Sequence, residues 1–549
     1  MSNSGTRPDS ECADRTRSVR ATDVKPIPQA ASVLVLRGTQ RAEVFVVRRA
    51  EHLRFFGGFL AFPGGKIHAG DAQIAVQSAS TASSPFAPRE EPGVMADFGP
   101  ALRVAAVREL FEETGVLLAR QPGGSFPVSC AALDQSRREI LDGTQSWEHF
   151  LRSWQLTIRD NDLEPVGRLV TPEFSSIRFD TAFYVAHVPQ DQAPAVWRGE
   201  LQEGCFTFAH DVLSRWERGE LLISPPTVAI LQCLRHNSWT EGKLRLRALL
   251  QSLETGKIHP IFFAPRVQLI PLRTQALPPS THTNAYLLGT GPLYLIDPGP
   301  ADPEEQERLF DVLDEYQAHG PALSAVVLTH HHADHIGAAR ACAERYAVPI
   351  WAHARTADLS RDKVRIDRAL REGDRLDLGK TPDSSGPWRL EVLHTPGHAS
   401  DHLAFYDPHL QLLLAGDMVS TLSSVVIAPP DGDLATYMAS LSRLRELPIR
   451  MLLPGHGSPT SRGRQVLDEA IAHRRKREAM LLEILARGSR TVAELVLEMY
   501  RGVPDPLMRF ALWQVVAALE KLHREGKASV AGQGADAAWT LAGAERLQT

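Results

Sequence analysis

At 549 residues, and with about 150 residues per domain as the usual size, the chain has room for three to four domains, which excludes a single small module. Sixty Lys and Arg stand against 65 Asp and Glu in a composition that is 43% hydrophobic and 23% charged, so a disordered chain and a globally basic nucleic-acid coat are both excluded. The most apolar stretch, Gln411 to Pro430, is broken by Asp417, so no membrane span is expected. The first 27 residues mix Asp, Glu, Arg and Ser without an apolar core and read as a frayed tail of a cytoplasmic protein rather than a targeting peptide. Five cysteines, widely spaced and without a CxxC pair, argue against a disulfide framework and fit a reducing compartment. Histidine is uneven: 15 of 21 lie from His259 onward, and four fall between His330 and His335.

From Ala31, SVLVLRG and EVFVVRRA read as two β-branched strands that deliver the chain to a Gly-Gly turn at Phe59 to Gly65. Residues 78 to 100, rich in Ser, Ala and Pro, read as a mobile surface insertion before a helix that begins near Leu102. Strands at Ile177 to Val188 and near Phe206, then a helix Pro226 to Arg235, complete a first α/β unit spanning 28–255. Its prolines make 256–279 the expected linker. A second unit, 265–463, opens with a strand ending on Asp297 and continues as helix Pro303 to His319, strand Ser324 to Thr329, helix Ile336 to Tyr346 and strand Pro349 to Ala352, an alternation that implies layered α/β packing. Residues 464–549 carry three amphipathic helices, Gln465 to Ala486, Val492 to Tyr500 and Leu507 to Glu525, then the strand-like KASVA and AWTLA, in winged-helix order. The middle helix begins with a capping box, Thr491 and Glu494.

In RELFEETG, Glu109, Glu112 and Glu113 stand at i, i+3 and i+4, which places three carboxylates on one helical side. A bare pattern of this kind is most often an exposed acidic face; if a cation gathers the charges, Mg²⁺ with its preference for hard oxygen ligands fits. The context resembles the Nudix box: Gly65, then Asp71 where that family has Glu, then Arg108, Glu109, Leu110, Glu112, Glu113, Gly115 and Val116. Here 36 residues separate Asp71 from Arg108 where the box has seven, and an insertion at this point marks the coenzyme A diphosphatase-like branch. Arg48, Arg54, Gly58 and the FPGG of Phe62 to Gly65 also match much of that branch's signature. The resemblance implies Mg²⁺- or Mn²⁺-dependent hydrolysis of a nucleoside diphosphate-linked compound, such as coenzyme A. It assigns Glu109, Glu112 and Glu113 as metal ligands, Arg108 and these glutamates as catalytic, and Arg48, Arg54, Gly64, Gly65 and Asp71 to the bound nucleotide.

The string THHHADHIG contains H-x-H-x-D-H at His330, His332, Asp334 and His335, on a loop between a strand and a helix. Imidazole and carboxylate together suit Zn²⁺, and each zinc takes about four ligands, so others must come from later strand ends. His398 in TPGH, Asp417 in LLLAGD and His456 in LLPGHG are the candidates. The series resembles the metallo-β-lactamase superfamily over roughly Val267 to Arg462. By that resemblance His330, His332 and His398 hold one zinc, Asp334, His335 and His456 a second, and Asp417 bridges them, with Asp334 and Asp417 serving the chemistry. Asp297 is then a supporting residue beneath the site, and His331 faces away. His353, His394 and His402 read as satisfied loop or core histidines, with support of the ligands as the sharper alternative.

LPGHGSP, AIAHRRKREAMLLEIL, VAELVLEMY and EKLHREGK, with TPGHASDHLAF before them, resemble the β-lactamase-like endoribonucleases, which carry a C-terminal winged helix. Single-stranded RNA is the partner and substrate that this implies, with a glyoxalase II-type thioesterase and an RNA-binding scaffold with an inactive Nudix unit as alternatives. From Arg464 to Lys527 there are twelve Lys and Arg against nine Asp and Glu, with a cluster at His473 to Arg477; such a cluster is usually a solvated face. The expected fold class is therefore α/β and α+β multidomain: a Nudix α/β/α sandwich with an insertion at 71–101, a metallo-β-lactamase αββα sandwich, and a C-terminal winged helix. The oligomeric state does not follow from the sequence.

Overall fold

Alternating β-branched residues put two hydrophobic faces on the first strands. Val33 and Val35 of strand Gln29–Arg37 and Phe45 and Val47 of strand Glu43–Arg49 face one core, while Leu34, Leu36, Val44 and Val46 face another. The computed structural model describes residues 26–38, 42–53, 55–78, 98–236, 238–253, 258–361, 363–534 and 537–543. Around these strands an eight-stranded mixed sheet forms, in which Gln29–Arg37 pairs in parallel with Asp180–His187, with Val33 opposite Tyr184. Helix Pro100–Thr114 covers one face, with helices Ala131–Leu141 and Trp147–Ser153 beyond it. Helices Ala209–Glu217, Pro225–Leu234 and Trp239–Leu253 cover the other, giving an α/β/α sandwich. Most of the expected insertion, residues 79–97, lies outside the described residues.

The span 256–279 departs from the linker expectation, because strands Ile261–Ala264 and Val267–Arg273 already belong to the next unit's sheet. Pro271 is accommodated because the edge strand is short: it pairs with Val267, Gln268 and Leu269, and Pro271 lies past its reach, opposite only Asn284 on the other side. The seven-stranded sheet so begun packs on a five-stranded sheet made of Arg375–Lys380, Pro387–His394, Leu403–Asp407, Leu412–Gly416 and Met451–Pro454. Leu269, Tyr286 and Val327 meet Leu390, Phe405 and Leu453 between them. Helices Pro303–His319 and Ala339–Tyr346 back the first sheet and helix Leu434–Arg445 the second, completing four αββα layers.

The single helix expected over 336–346 is two helices, Ala333–Ile336 and Ala339–Tyr346. They part at Gly337, whose backbone presses so closely on the 299–301 turn that a Cβ there would lie 2.5 Å from the Gly299 carbonyl. Helices Gly463–Ala486, Val492–Met499 and Asp505–Arg524 with a three-stranded sheet form the winged helix, and the Thr491–Glu494 capping box is present. Leu467, Leu481 and Leu519 share one core with Leu441 and Leu452 of the sandwich, so the winged helix is fused to it. Across the other junction Phe59 and Phe174 of the first unit enter the sandwich core, Ser458 Oγ bonds Ser175 Oγ at 3.0 Å, and Ser461 Oγ donates to the Gly57 carbonyl at 3.0 Å. No helix among the described residues is long and apolar enough to cross a membrane.

Candidate active site

Strand ends of the sandwich deliver His330, Asp417 and His456 to one place, and the loop after strand Pro387–His394 adds His398. Within 4.8 Å of one another lie the donor atoms of His330, His332 and His398, those of His330, His335 and Asp417, and those of Asp334, His335 and His456. The outer nitrogens of four imidazoles are anchored. Thr329 Oγ1 donates to Asp297 Oδ2 at 2.6 Å and so accepts from His330 Nδ1 at 2.9 Å; His335 Nδ1 donates to Asp297 Oδ2 at 2.9 Å. His398 Nδ1 donates to the Val426 carbonyl and His456 Nδ1 to the His282 carbonyl, each at 2.8 Å. With the Nδ1 atoms engaged on the outside, four Nε2 atoms point inward, each a ligand once it carries no proton.

The interior therefore gathers imidazole nitrogens and carboxylate oxygens, the atoms that ligate metals. His332 Nδ1 is 2.9 Å from His330 Nε2 and 3.0 Å from His398 Nε2, while His335 Nε2 and Asp417 Oδ1 are buried with no hydrogen-bond partner. Asp417 Oδ2 lies 3.4 Å from His456 Nε2 and 3.6 Å from His398 Nε2, midway between the two groups of ligands. Converging imidazole and carboxylate ligand atoms, two of them buried without a hydrogen bond, are what a pair of divalent cations would satisfy. Burial and the neighbouring imidazoles push His330 well below the ordinary imidazole pKa and His332 down to about 3. Burial also works to lower His335 and His456, but Asp417 and the other carboxylates outweigh it, raising His335 well above the ordinary value and His456 to about 10.

Asp297 takes the supporting place expected of it, bonding Thr329 N at 2.7 Å as well as Thr329 Oγ1 and His335. His331 turns out of the cage to Asp401 Oδ1 at 2.9 Å. His402 accepts from Asp417 N at 3.1 Å while its Nδ1 bonds Thr395 Oγ1 at 2.8 Å, so it fixes the backbone of the bridging carboxylate. His353 and His394 stack on each other, 4.6 Å between ring centroids, away from the cage. Sequence reasoning passed over Asp401, although it lies in TPGHASDHLAF, and missed Ser280, whose Oγ lies 3.1 Å from His456 Nδ1 and which sits in no such motif. Gly455 is a further necessity, since a Cβ there would lie 2.6 Å from Asp417 Oδ1 and 2.9 Å from His335 Cε1. Gly455→Ala is expected to weaken divalent-metal binding by about 10- to 100-fold, the scale seen when support of a ligand is lost, and metal titration of the apoprotein checks it.

Residues 279–456 match the family model for the metallo-beta-lactamase superfamily, and 491–539 match that for the beta-lactamase associated winged helix domain. A Caenorhabditis elegans protein described as a beta-lactamase-like protein 2 homolog is 30% identical over 251 residues, 44% of this chain and 79% of that protein. The chain belongs to the metallo-β-lactamase superfamily. A Drosophila melanogaster protein of the same description is 28% identical, over 45% of this chain and 84% of its own length. The fold of this superfamily implies a divalent metal, and the His and Asp cage provides the donors for it. Among solved structures, a NUDIX hydrolase from Alicyclobacillus acidocaldarius is 33% identical, covering 38% of this chain and 91% of that one, with a TM-score of 0.33.

In the first unit, helix Pro100–Thr114 lays Glu109, Glu112 and Glu113 along a cleft beside Gly64 and Gly65, so they are not a solvated acidic face. Gly64 N donates to Glu113 Oε2 at 2.8 Å, and a Cβ on Gly65 would sit 2.4 Å from the Glu109 carboxyl carbon. Three assignments need correction. Asp71 does not face the cleft: it is 2% exposed and grips Arg108 through two bonds of 2.9 Å, with His68 N on its Oδ2 at 2.8 Å. Arg108, equally buried, cannot touch a substrate in the cleft and is a positioning residue, its Nη1 reaching Glu109 at 2.9 Å and Glu112 at 3.3 Å. The third correction is Arg48, which pairs with Glu203 at 2.9 Å; strand alternation turns Arg49 to the cleft in its place. Arg54 lies outside the described residues.

Burial raises Glu113 to about 8 and, against the pull of Arg108 and with Glu109 beside it, Glu112 to about 7. Among the described residues these three carboxylates do not converge within 4.8 Å as the lactamase ligands do. Arg108 holds Glu109 and Glu112 while Gly64 holds Glu113, so a cation entering here must draw the carboxylates from those partners. In the winged helix the basic cluster is partly structural: buried Arg474 bonds Gln514 and the Val425 carbonyl, and Arg477 lies 4.7 Å over Tyr500. Arg475 and Lys476 are left exposed.

Proposed function

We propose that the chain is a bifunctional metal-dependent hydrolase of the reducing cytoplasm. The lactamase cage would be a dinuclear zinc centre that hydrolyses phosphodiester bonds of single-stranded RNA, and the first unit a Nudix-type Mg²⁺ or Mn²⁺ site that hydrolyses a nucleoside diphosphate-linked compound, coenzyme A among the candidates. The observation that carries the zinc reading is the convergence of five imidazoles and two carboxylates, with His335 Nε2 and Asp417 Oδ1 buried without a hydrogen-bond partner. His330, His332 and His398 would hold one ion, Asp334, His335 and His456 the other, with Asp417 between. When bound, zinc supplies an activated water and stabilises the oxyanion that develops on the attacked centre. The chain's own contribution is placement: Asp297 orients two imidazoles through one carboxylate, and His402 fixes the Asp417 backbone.

An acyl thioester is the second reading, favoured by the way two of the cluster's four cations, Arg474 and Arg477, are used in packing rather than offered to phosphates. Cleavage of unstructured RNA and of an acyl thioester by the zinc-loaded chain, with Asp417→Ala as control, separates them. RNA cut by the wild type alone supports the endoribonuclease reading, and hydrolysis confined to the thioester replaces it. Failure of both, with zinc bound, overturns both substrate assignments.

A further inference from the structure

The carboxylates of the first unit open into a cleft of about 1780 Å³ whose opposite wall belongs to the lactamase unit and the winged helix. Small-molecule pockets run to about 300–1,000 Å³, so a nucleotide alone would leave much of it empty. An aromatic path crosses it. Lys66, next to Gly65, has its Nζ 5.2 Å from the Phe179 ring; Phe179 lies 5.6 Å from Phe55, Phe55 lies 4.2 Å from Phe56, and Phe56 lies 6.1 Å from Phe263, which belongs to the lactamase sheet. Beyond the aromatics the lining turns to hydroxyls and imidazole, with Ser420, Ser424, Ser461 and His473, and Ser424 Oγ lies 3.4 Å from His473 Nδ1. Five Lys and Arg against six Asp and Glu line the whole cleft among the described residues, which is not the cationic groove that a polynucleotide backbone requires.

We propose that this cleft is one substrate site built by both units, which takes a nucleoside diphosphate bearing a long, uncharged, partly apolar arm. The diphosphate sits at Glu109, Glu112 and Glu113, the arm runs along Phe179, Phe55 and Phe56, and its end rests against Ser424 and His473. The lactamase unit and the winged helix thus set the substrate length accepted by the first unit. This rests on the Nudix reading above.

The test compares Mg²⁺-dependent hydrolysis of ADP-ribose with that of a hexyl thioether of coenzyme A, which a thioesterase cannot consume, in the full-length chain. Ser424 is exposed in the cleft, so Ser424→Trp narrows the far end with little demand on folding. It is expected to lower the kcat/KM ratio of thioether to ADP-ribose tenfold or more, through KM, and His473→Ala is expected to lower it severalfold. A ratio unchanged in both variants overturns the shared site, while loss of both hydrolyses in Glu112→Gln shows that the Nudix reading itself stands. Hydrolysis of both compounds retained in Glu112→Gln overturns that reading and the inference with it. Competition by a single-stranded oligonucleotide that Ser424→Trp relieves would assign the cleft to nucleic acid instead.

Discussion

Loaded with zinc and freed of loosely held metal, the wild-type chain is expected to carry about two ions, and Asp417→Ala to lose at least one of them together with hydrolytic activity, on the order of 10³- to 10⁴-fold. The size of the effect follows from position. Asp417 Oδ2 stands 3.4 Å from His456 Nε2 and 3.6 Å from His398 Nε2, and its Oδ1 3.4 Å from His335 Nε2, so a single truncation disturbs both groups of ligands. Loading should also release protons, because the carboxylates hold His335 well above the ordinary imidazole range and His456 up to about 10, and both must give up the Nε2 proton to bind metal. Metal affinity should then fall as pH falls. Metal analysis of both proteins, with titration calorimetry in buffers of different ionisation enthalpy, checks this. A wild-type chain that folds and stays metal-free under zinc, or an Asp417→Ala variant that keeps two ions and full activity, would sink the assignment.

Much of this centre was legible because its ligands are concentrated: H-x-H-x-D-H sits in one loop, and His398, Asp417 and His456 each follow a strand-like run that ends in Gly or a Gly-containing turn. What the sequence left dark depended on long-range geometry. Whether Arg48 or Arg49 faces the cleft is a matter of one residue of strand register, fixed by pairing with Leu201–Thr207. Asp71 matches a motif position, yet its partner Arg108 is 37 residues away and removes both of its oxygens from the cleft. The prolines of 256–279 looked like a junction until a short edge strand made Pro271 harmless. The His473 to Arg477 cluster shows the converse: charge counts cannot tell that Arg474 is spent on Gln514 and Val425 inside the fold.

At the carboxylate site, Mg²⁺ affinity is expected to rise steeply from pH 6 and level off above about pH 8. Burial is the leading cause of the raised values, about 7 for Glu112 and about 8 for Glu113, so at pH 6 a cation must displace protons from both. Each displaced proton is worth up to about tenfold in affinity per pH unit. The same shifts fix the sign of the stability change. Both folded-state values stand above the ordinary 4.5, so the metal-free first unit binds more protons than its unfolded chain between about pH 4.5 and 8, and it loses stability as pH rises through that window. Mg²⁺ compensates the ionised carboxylates, so the Tm difference with and without Mg²⁺ should widen from pH 6 to pH 9. Glu112→Gln removes one of the two protons, and it should flatten the pH slope of Mg²⁺ binding and abolish Mg²⁺-dependent release of phosphorylated products. A Tm difference that stays constant with pH, or a Glu112→Gln variant that still hydrolyses a nucleoside diphosphate compound at the wild-type rate, would remove the metal from this site and leave Arg108 and the Gly64 amide to hold the carboxylates.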